Sequence, residues 1–175
     1  MMYKLLCSFV SSIPMSQALH EAVISGMGET FNLDIGGAGI FIINAPTKTI
    51  LLGRRNNPDY HAGHWCSFGG TREPGESPLS TAIREISEEA GISDDMIAIE
   101  PNHLYIDIDP QRNNFRFMTY LARADEPFDV QLNHEHDDYG WFPITKLPQP
   151  LHPGVNRMLA DPHVMRELLK QMNGG

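Results

Sequence analysis

The chain has 175 residues, with 22 acidic and 13 basic side chains and a formal net charge of −9. That balance argues against stable binding to nucleic-acid backbones and against an anionic membrane surface, and no apolar run approaches membrane-spanning length. The length fits one domain with an appendage, enough to bury about 70% of the unfolded chain's surface. Cys7 and Cys66 are the only cysteines, so no disulfide framework is expected and a reducing cytoplasm is the simplest location.

The N-terminal stretch carries Lys4 ahead of a short apolar patch, as a secretory signal does, but Ser8, Ser11 and Ser12 interrupt the patch. It is read instead as a retained segment. Residues 3–10 predict a short strand and residues 16–26 a helix, together an appendage over residues 1–34. Gly36-Gly37 then opens a strand, AGIFIINA, ended by Pro46. TILLGRR, residues 49–55, is its expected hairpin partner across the Ala45–Lys48 turn. A polar loop follows over 56–64, then a short extended piece from Trp65 to Phe68, then Gly69-Gly70.

Residues 70–92, GTREPGESPLSTAIREISEEAGI, are the most informative stretch. Ser77 suits a helix N-cap, Pro78 the first helical position and Gly91 the left-handed end. At 100° per residue Leu79, Ala82, Ile83, Ile86 and Ala90 form one apolar stripe facing a core. Glu85, Glu88 and Glu89 stand at i, i+3, i+4 and share a face beside that stripe. Arg84 borders them and can pair with Glu88 one turn on. Glu88 and Glu89 also fall in the last turn, where the helix dipole disfavours anions. Each like-charge pair on an exposed helix costs roughly 0.2–0.5 kcal/mol. Such an arrangement calls for a cation, and oxygen-only ligands favour Mg²⁺ first and Mn²⁺ second over Zn²⁺. A lone Glu-Glu on a helix is more often a solvated acidic face.

Beyond the helix, strands are expected near 96–108 and 115–124, an acidic loop over 125–137 and a strand from Tyr139 to Ile144. The Pro-rich 147–153 reads as a linker. Asp161-Pro162 caps a last helix running to about residue 172. Strands around a central helix, with another helix at the end, suggest a mixed sheet between helices.

The spacing Gly70, five residues, Glu76, seven residues, Arg84-Glu85-Ile86, one residue, Glu88-Glu89, one residue, Gly91-Ile92 resembles the Nudix box, with every fixed position filled. A chance match is on the order of 10⁻⁷ for this length, from ordinary residue abundances. The resemblance implies an α/β fold, the Nudix-type α/β/α sandwich with a mixed central sheet, over residues 35–175. It implies metal-dependent hydrolysis of the pyrophosphate linkage in a nucleoside diphosphate joined to another group, by water attack on phosphorus. It further implies that Glu85, Glu88 and Glu89 are metal ligands together with the Gly70 carbonyl oxygen. Arg84 would orient them, with Glu76 as its support.

Glu135, in NHEHDDYGWF, matches a stretch that in several Nudix subfamilies lies over the metal site and supplies an extra ligand or the general base. Flanking His134 and His136 are alternative bases, and composition alone reads the loop as acidic surface. Glu85 is a further candidate for the base. Arg54 and Arg55 end an apolar strand, where such an Arg often faces phosphate in this family, and strand alternation lets only one point inward. Trp65 and Tyr139 are candidates to stack on a base, or are core. His61, His64 and Cys66 superficially suggest zinc, but no fourth ligand is evident. Ser67-Phe68 stands where many family members have proline before the glycines. The stretches LLGRRNNPD, GHW and EHDDYGW are also similar to the GDP-mannose mannosyl hydrolase branch, which typically has a degenerate box. The expected partner is a nucleotide-derived small molecule, and a homodimer is left open. A nucleotide-sensing module without turnover is the alternative, and the intact box counts against it. A metal-buffering protein would need a larger oxygen cage, and an RNA-processing enzyme basic stretches that are absent.

Overall fold

The computed structural model describes residues 36–56, 58, 60–109 and 112–174. The strand and helix expected at 3–10 and 16–26 lie outside these residues. Within them the strands are β1 (Gly36–Asn44), β2 (Thr49–Arg55), β3 (Trp65–Cys66), β4 (Phe68–Thr71), β5 (Ala98–Asp109), β6 (Phe115–Ala124) and β7 (His136–Pro143). The helices are α1 (Pro78–Ala90), α2 (Pro153–Ala160) and α3 (Pro162–Met172). None is long and apolar enough to cross a membrane.

The strands form one mixed sheet. β1 is buried along its whole length and runs parallel to β6 on one side. On its other side β4 pairs with its first half and β2 with its second, both antiparallel. β2 continues outward to β3 and β7, and β5 closes the far edge beside β6. The expected β1–β2 hairpin is present, with Asn44 opposite Thr49.

Strand alternation divides β1 between two cores. Ala38, Ile40 and Ile42 face α1, where they meet Ala82, Ile86 and Ala90, with Leu79 and Ile83 partly covered at the margin. Phe41 and Ile43 face the opposite way, onto Val155 and Met158 of α2 and Val164, Leu168 and Met172 of α3. Helices thus cover both faces of a mixed sheet, the sandwich expected from the element order.

The ends of α1 follow the sequence signals. Ser77 accepts a bond from the Ser80 N–H at 3.1 Å, and Gly91 closes the helix at φ 64°, a backbone state where a Cβ is costly. Asp161 caps α3 through the N–H groups of His163 and Val164. Helix α2 differs from expectation, since 153–160 follows what reads as a linker. Pro153-Gly154 begins it, and it has two turns, too few for a periodic pattern to stand out. Its cap is His152, whose ring accepts from the Gly154 N–H at 3.1 Å. Strand β7 also begins three residues before Tyr139, because His136 is buried and paired with Arg55 across the sheet.

Candidate active site

The acidic residues of α1 are organised by one cation. Arg84 donates through Nε to Glu76 Oε1 at 2.7 Å and through Nη2 to Glu76 Oε2 at 3.1 Å. Its Nη1 meets Glu85 Oε1 at 2.9 Å and Glu88 Oε2 at 3.1 Å, while Nη2 also donates to the Thr71 carbonyl oxygen at 3.1 Å. Glu76 takes two further bonds, from the Glu73 N–H and the Thr81 hydroxyl. The Arg84 bonds, aided by these, hold the Glu76 carboxyl down at about 2. The same pairing raises Arg84 above its already high value.

The three glutamates differ in exposure. Glu88 has 57% of its side chain open to solvent. Glu85 is 9% exposed and Glu89 only 2%. Glu89 Oε2 accepts from the Gly69 N–H at 2.7 Å, which ties the end of α1 to β4. Burial, with Glu135 and Glu85 nearby, pushes the Glu89 carboxyl up to about 8 despite that bond. Burial also raises Glu85, against the pull of Arg84. The Glu85 carboxylate lies directly over Gly70, where a Cβ would stand 2.6 Å from its atoms. Absence of a side chain at Gly70 is what admits that carboxylate to the β4 backbone.

Glu135 enters from the loop before β7. Its N–H donates to Asn133 Oδ1 at 2.9 Å, and its carbonyl oxygen accepts from the Asn56 N–H at 2.7 Å. Its charge acts on both Glu85 and Glu89. The next residue, His136, is 4% exposed, with its ring edge-on to Phe68 at 4.9 Å and Nε2 3.7 Å from Cys66 Sγ. Its Nδ1 has no hydrogen-bond partner among the described residues, and burial pulls its pKa down to about 4. His136 is therefore a neutral ring packed in the core. Burial likewise pushes the Cys66 thiol up to about 12.

A cleft of about 610 Å³ opens beside these groups and is lined by Glu85, Glu135, Gly70 and Arg55, among others. Of the two adjacent arginines, Arg55 turns into it. Arg54 points the other way, to Asp137 at 2.7 Å and Asp138 at 3.7 Å. Trp65 is in the core on the α2 and α3 side, 4.9 Å from Phe142, because β3 pairs with β2 and turns the indole inward. Tyr139 packs against the α1 side, and its hydroxyl donates to Asp129 at 2.9 Å. Neither aromatic lines the cleft. Three other residues that do line it carried no motif: Tyr60, Arg112 and Phe115.

Among the described residues, no three carboxylate, imidazole or thiol groups stand close enough together to hold a metal ion as placed. That applies to the HxxHxC segment, where the Cys66 thiol is buried and the His61 and His64 rings meet edge to face at 5.3 Å. It applies to the glutamates too, since Arg84 engages Glu85 and Glu88, and the Gly69 N–H engages Glu89. The donor set of α1 and β4 is nevertheless all oxygen. It holds a buried carboxylate short of positive charge, which is what a hard divalent cation requires.

Residues 35–161 match the NUDIX domain family. A Mycobacterium tuberculosis protein provisionally named 8-oxo-dGTP diphosphatase 3 is 30% identical over 138 residues, spanning 75% of this chain and 63% of its own length. An uncharacterised Nudix hydrolase of Rhodococcus erythropolis is 30% identical over 164 residues, 85% of either chain. Among solved structures, a C. elegans Ap4A hydrolase in a binary complex superposes with a TM-score of 0.56 at 27% identity, covering 79% of this chain and 96% of that one. The Nudix hydrolase RenU of M. smegmatis shares the fold at a TM-score of 0.62 and 23% identity, over 79% of this chain and 87% of that one. The chain belongs to the Nudix family. It spans less than two thirds of the length of the M. tuberculosis relative and of a C. elegans bis(5'-nucleosyl)-tetraphosphatase that is 35% identical over 83 residues.

Proposed function

We propose that the chain is a divalent-metal-dependent hydrolase of phosphoanhydride bonds in a nucleotide-derived small molecule. The observation that carries this reading is the Glu85, Glu88 and Glu89 cluster, with Glu89 buried against Gly69 at the edge of a cleft in a Nudix domain. Nudix hydrolases generally use divalent metal ions. Here Glu85, Glu88, Glu89 and the Gly70 carbonyl would hold the cation, Mg²⁺ first and Mn²⁺ second, with Glu135 as an additional ligand. Bound there, the cation would neutralise non-bridging phosphate oxygens and acidify a water.

The chain's own groups have separable tasks. Arg84 fixes the rotamers of Glu85 and Glu88, and Glu76 fixes Arg84. Arg55 contributes positive charge on the cleft wall, where substrate phosphates would lie. Glu135 is the proposed general base, accepting the proton of the attacking water as the bond to phosphorus forms and the leaving phosphate departs. Its backbone is anchored on both sides, and its neighbour His136 is buried away from the role. Glu85 is the remaining alternative for the base.

A panel of nucleoside triphosphates, dinucleoside polyphosphates, ADP-ribose and nucleotide sugars, assayed with Mg²⁺ and with chelator, tests the proposal. Metal-dependent release of phosphate-containing products from at least one of them is expected. No turnover with any substrate or metal would favour a sensing module instead.

A further inference from the structure

The cleft holds a second cluster that the proposed hydrolytic groups do not use. Tyr60 comes from the loop after β2, Arg112 from the β5–β6 connection and Phe115 from the start of β6; all three line the cleft. The Arg112 guanidinium lies 4.4 Å from the Phe115 ring centre and 5.3 Å from that of Tyr60. Its Nη1 donates to the Tyr60 hydroxyl oxygen at 2.9 Å. The Arg55 guanidinium lies 5.4 Å from the same Tyr60 ring, and its Nε donates to the Tyr60 carbonyl oxygen at 3.2 Å. Two guanidinium groups therefore share one tyrosine.

An arginine stacked on an aromatic ring at a surface is common. Position distinguishes this one. Gly37 is the point where the cluster meets the acidic end of the cleft. A Cβ there would come within 2.5 Å of the Gly70 carbonyl oxygen and 3.1 Å of Phe115 Cζ. The Phe115 ring that carries Arg112, with Phe117 beside it at 3.0 Å from the same point, thus reaches towards the backbone oxygen beside Glu85.

The remaining contacts decide which arginines are committed. Arg84 is engaged by Glu76, Glu85 and Glu88, and Arg157 by Asp107 through bonds of 2.8 and 2.5 Å. Among the described residues, Arg112 is held by Tyr60 and Phe115, and Arg55 by Tyr60 and by a side-chain bond with Cys66, with no carboxylate bound to either. Stacking fixes a guanidinium plane while its N–H edge still points outward, and that planar fork matches phosphate oxygens in pairs. A neutral sugar has no comparable need for two adjacent positive charges.

We infer that Arg112, seated between Tyr60 and Phe115 and joined through Tyr60 to Arg55, binds substrate phosphates beyond the pair flanking the scissile bond. The cleft then takes nucleoside polyphosphates with three or more phosphates in preference to a diphosphate linking nucleoside and sugar. The inference rests on the phosphoanhydride reading of the acidic end and names its substrate class.

Two measurements test it. Calorimetric titration with inorganic tripolyphosphate and with pyrophosphate, in chelator, reads the subsite without turnover. Tripolyphosphate should bind at least tenfold more tightly than pyrophosphate, and Arg112→Gln should abolish the difference. Arg112→Lys, which keeps charge but loses the fork, should fall between. Equal affinities, undetectable tripolyphosphate binding, or a preference that survives Arg112→Gln would overturn the inference. The second measurement is the ratio of kcat/KM for a nucleoside triphosphate to that for a nucleotide sugar. It should fall at least tenfold in Arg112→Gln, and a uniform loss on both substrates contradicts the assignment. Tyr60→Leu, which removes the shared platform from a different loop, should lower the same ratio if Arg112→Gln folds poorly. Absence of all hydrolysis would defeat the proposed activity, while the titrations would still decide the subsite.

Discussion

The Gly69 N–H donates to Glu89 Oε2 at 2.7 Å, joining the last turn of α1 to the strand that precedes the helix. This bond fixes a carboxylate that is 2% exposed and lies among other acids. Its neighbour Gly70 carries the second constraint, because the Glu85 carboxylate occupies the space of a Cβ. Gly70→Ala should therefore displace Glu85 and lower kcat at least 10²-fold, with secondary structure preserved. Circular dichroism alongside initial rates checks this. Wild-type turnover in Gly70→Ala would mean that Glu85 does not act from its place over β4.

Arg84→Ala should harm more than loss of a surface charge. An exposed ion pair contributes about 0–1 kcal/mol, and its loss leaves rate untouched. Arg84, however, spans three glutamates and the Thr71 carbonyl. Its removal should weaken apparent metal affinity and rate together, by roughly 10–100-fold, as loss of a group that orients metal ligands does. Glu76→Gln should give a smaller change in the same direction. A metal titration of the rate separates these outcomes from an unchanged metal dependence.

Glu135→Gln should cut kcat with KM nearly constant, the mark of an interaction made mainly in the transition state. His136→Ala should act differently, because its ring fills core space against Phe68 and its Cδ2 would stand 2.8 Å from a Cβ on Gly53. The cost should be stability, about 2–4 kcal/mol as for other large-to-small core changes, read from denaturant midpoints. A stable His136→Ala with a collapsed kcat would return the base role to the histidine.

Stability should also depend on His152. Burial, with His61 and Arg55 adding to it, lowers its folded pKa to about 4 from an unfolded value of 6.5. The folded state keeps the ring neutral, with Nδ1 accepting from Gly154. The unfolded chain binds the proton first, so this contribution is complete above pH 6.5 and is lost as pH falls through 4. Urea midpoints between pH 7.5 and pH 4.5 should drop less in His152→Asn, which can still cap α2 without titrating. Parallel pH profiles in the two proteins would contradict the account.

Legibility in the sequence followed the range of the forces involved. Helix α1 was readable to its caps because Ser77, Pro78 and Gly91 act on their own backbone, and its apolar stripe needs only the helical period. The box acids were readable as a group for the same reason. Their division into an exposed Glu88 and a buried Glu89 was not, because it is set by the approach of β4. Alternation showed that only one of Arg54 and Arg55 enters the cleft, but Asp137 and Asp138, more than 80 residues away, determine which. Trp65 was readable as a stacking platform or as core, and its pairing with β2, which no local signal reveals, decides for the core. Tyr60 lies 52 residues before Arg112, and no local pattern brings it to the neighbouring Arg112 and Phe115. Helix α2 was missed because two turns opened by Pro-Gly carry too little periodicity.

The central claim is that the α1 carboxylates act through a divalent cation, and one titration tests it directly. Initial rates on the best substrate of the panel are measured against Mg²⁺ concentration for the native chain and for Glu89→Gln. The account predicts saturable activation from essentially zero in chelator, and a kcat at least 10²-fold lower in Glu89→Gln with an unchanged circular dichroism spectrum. Turnover that survives chelation, or a Glu89→Gln protein as fast as the native one, would contradict it.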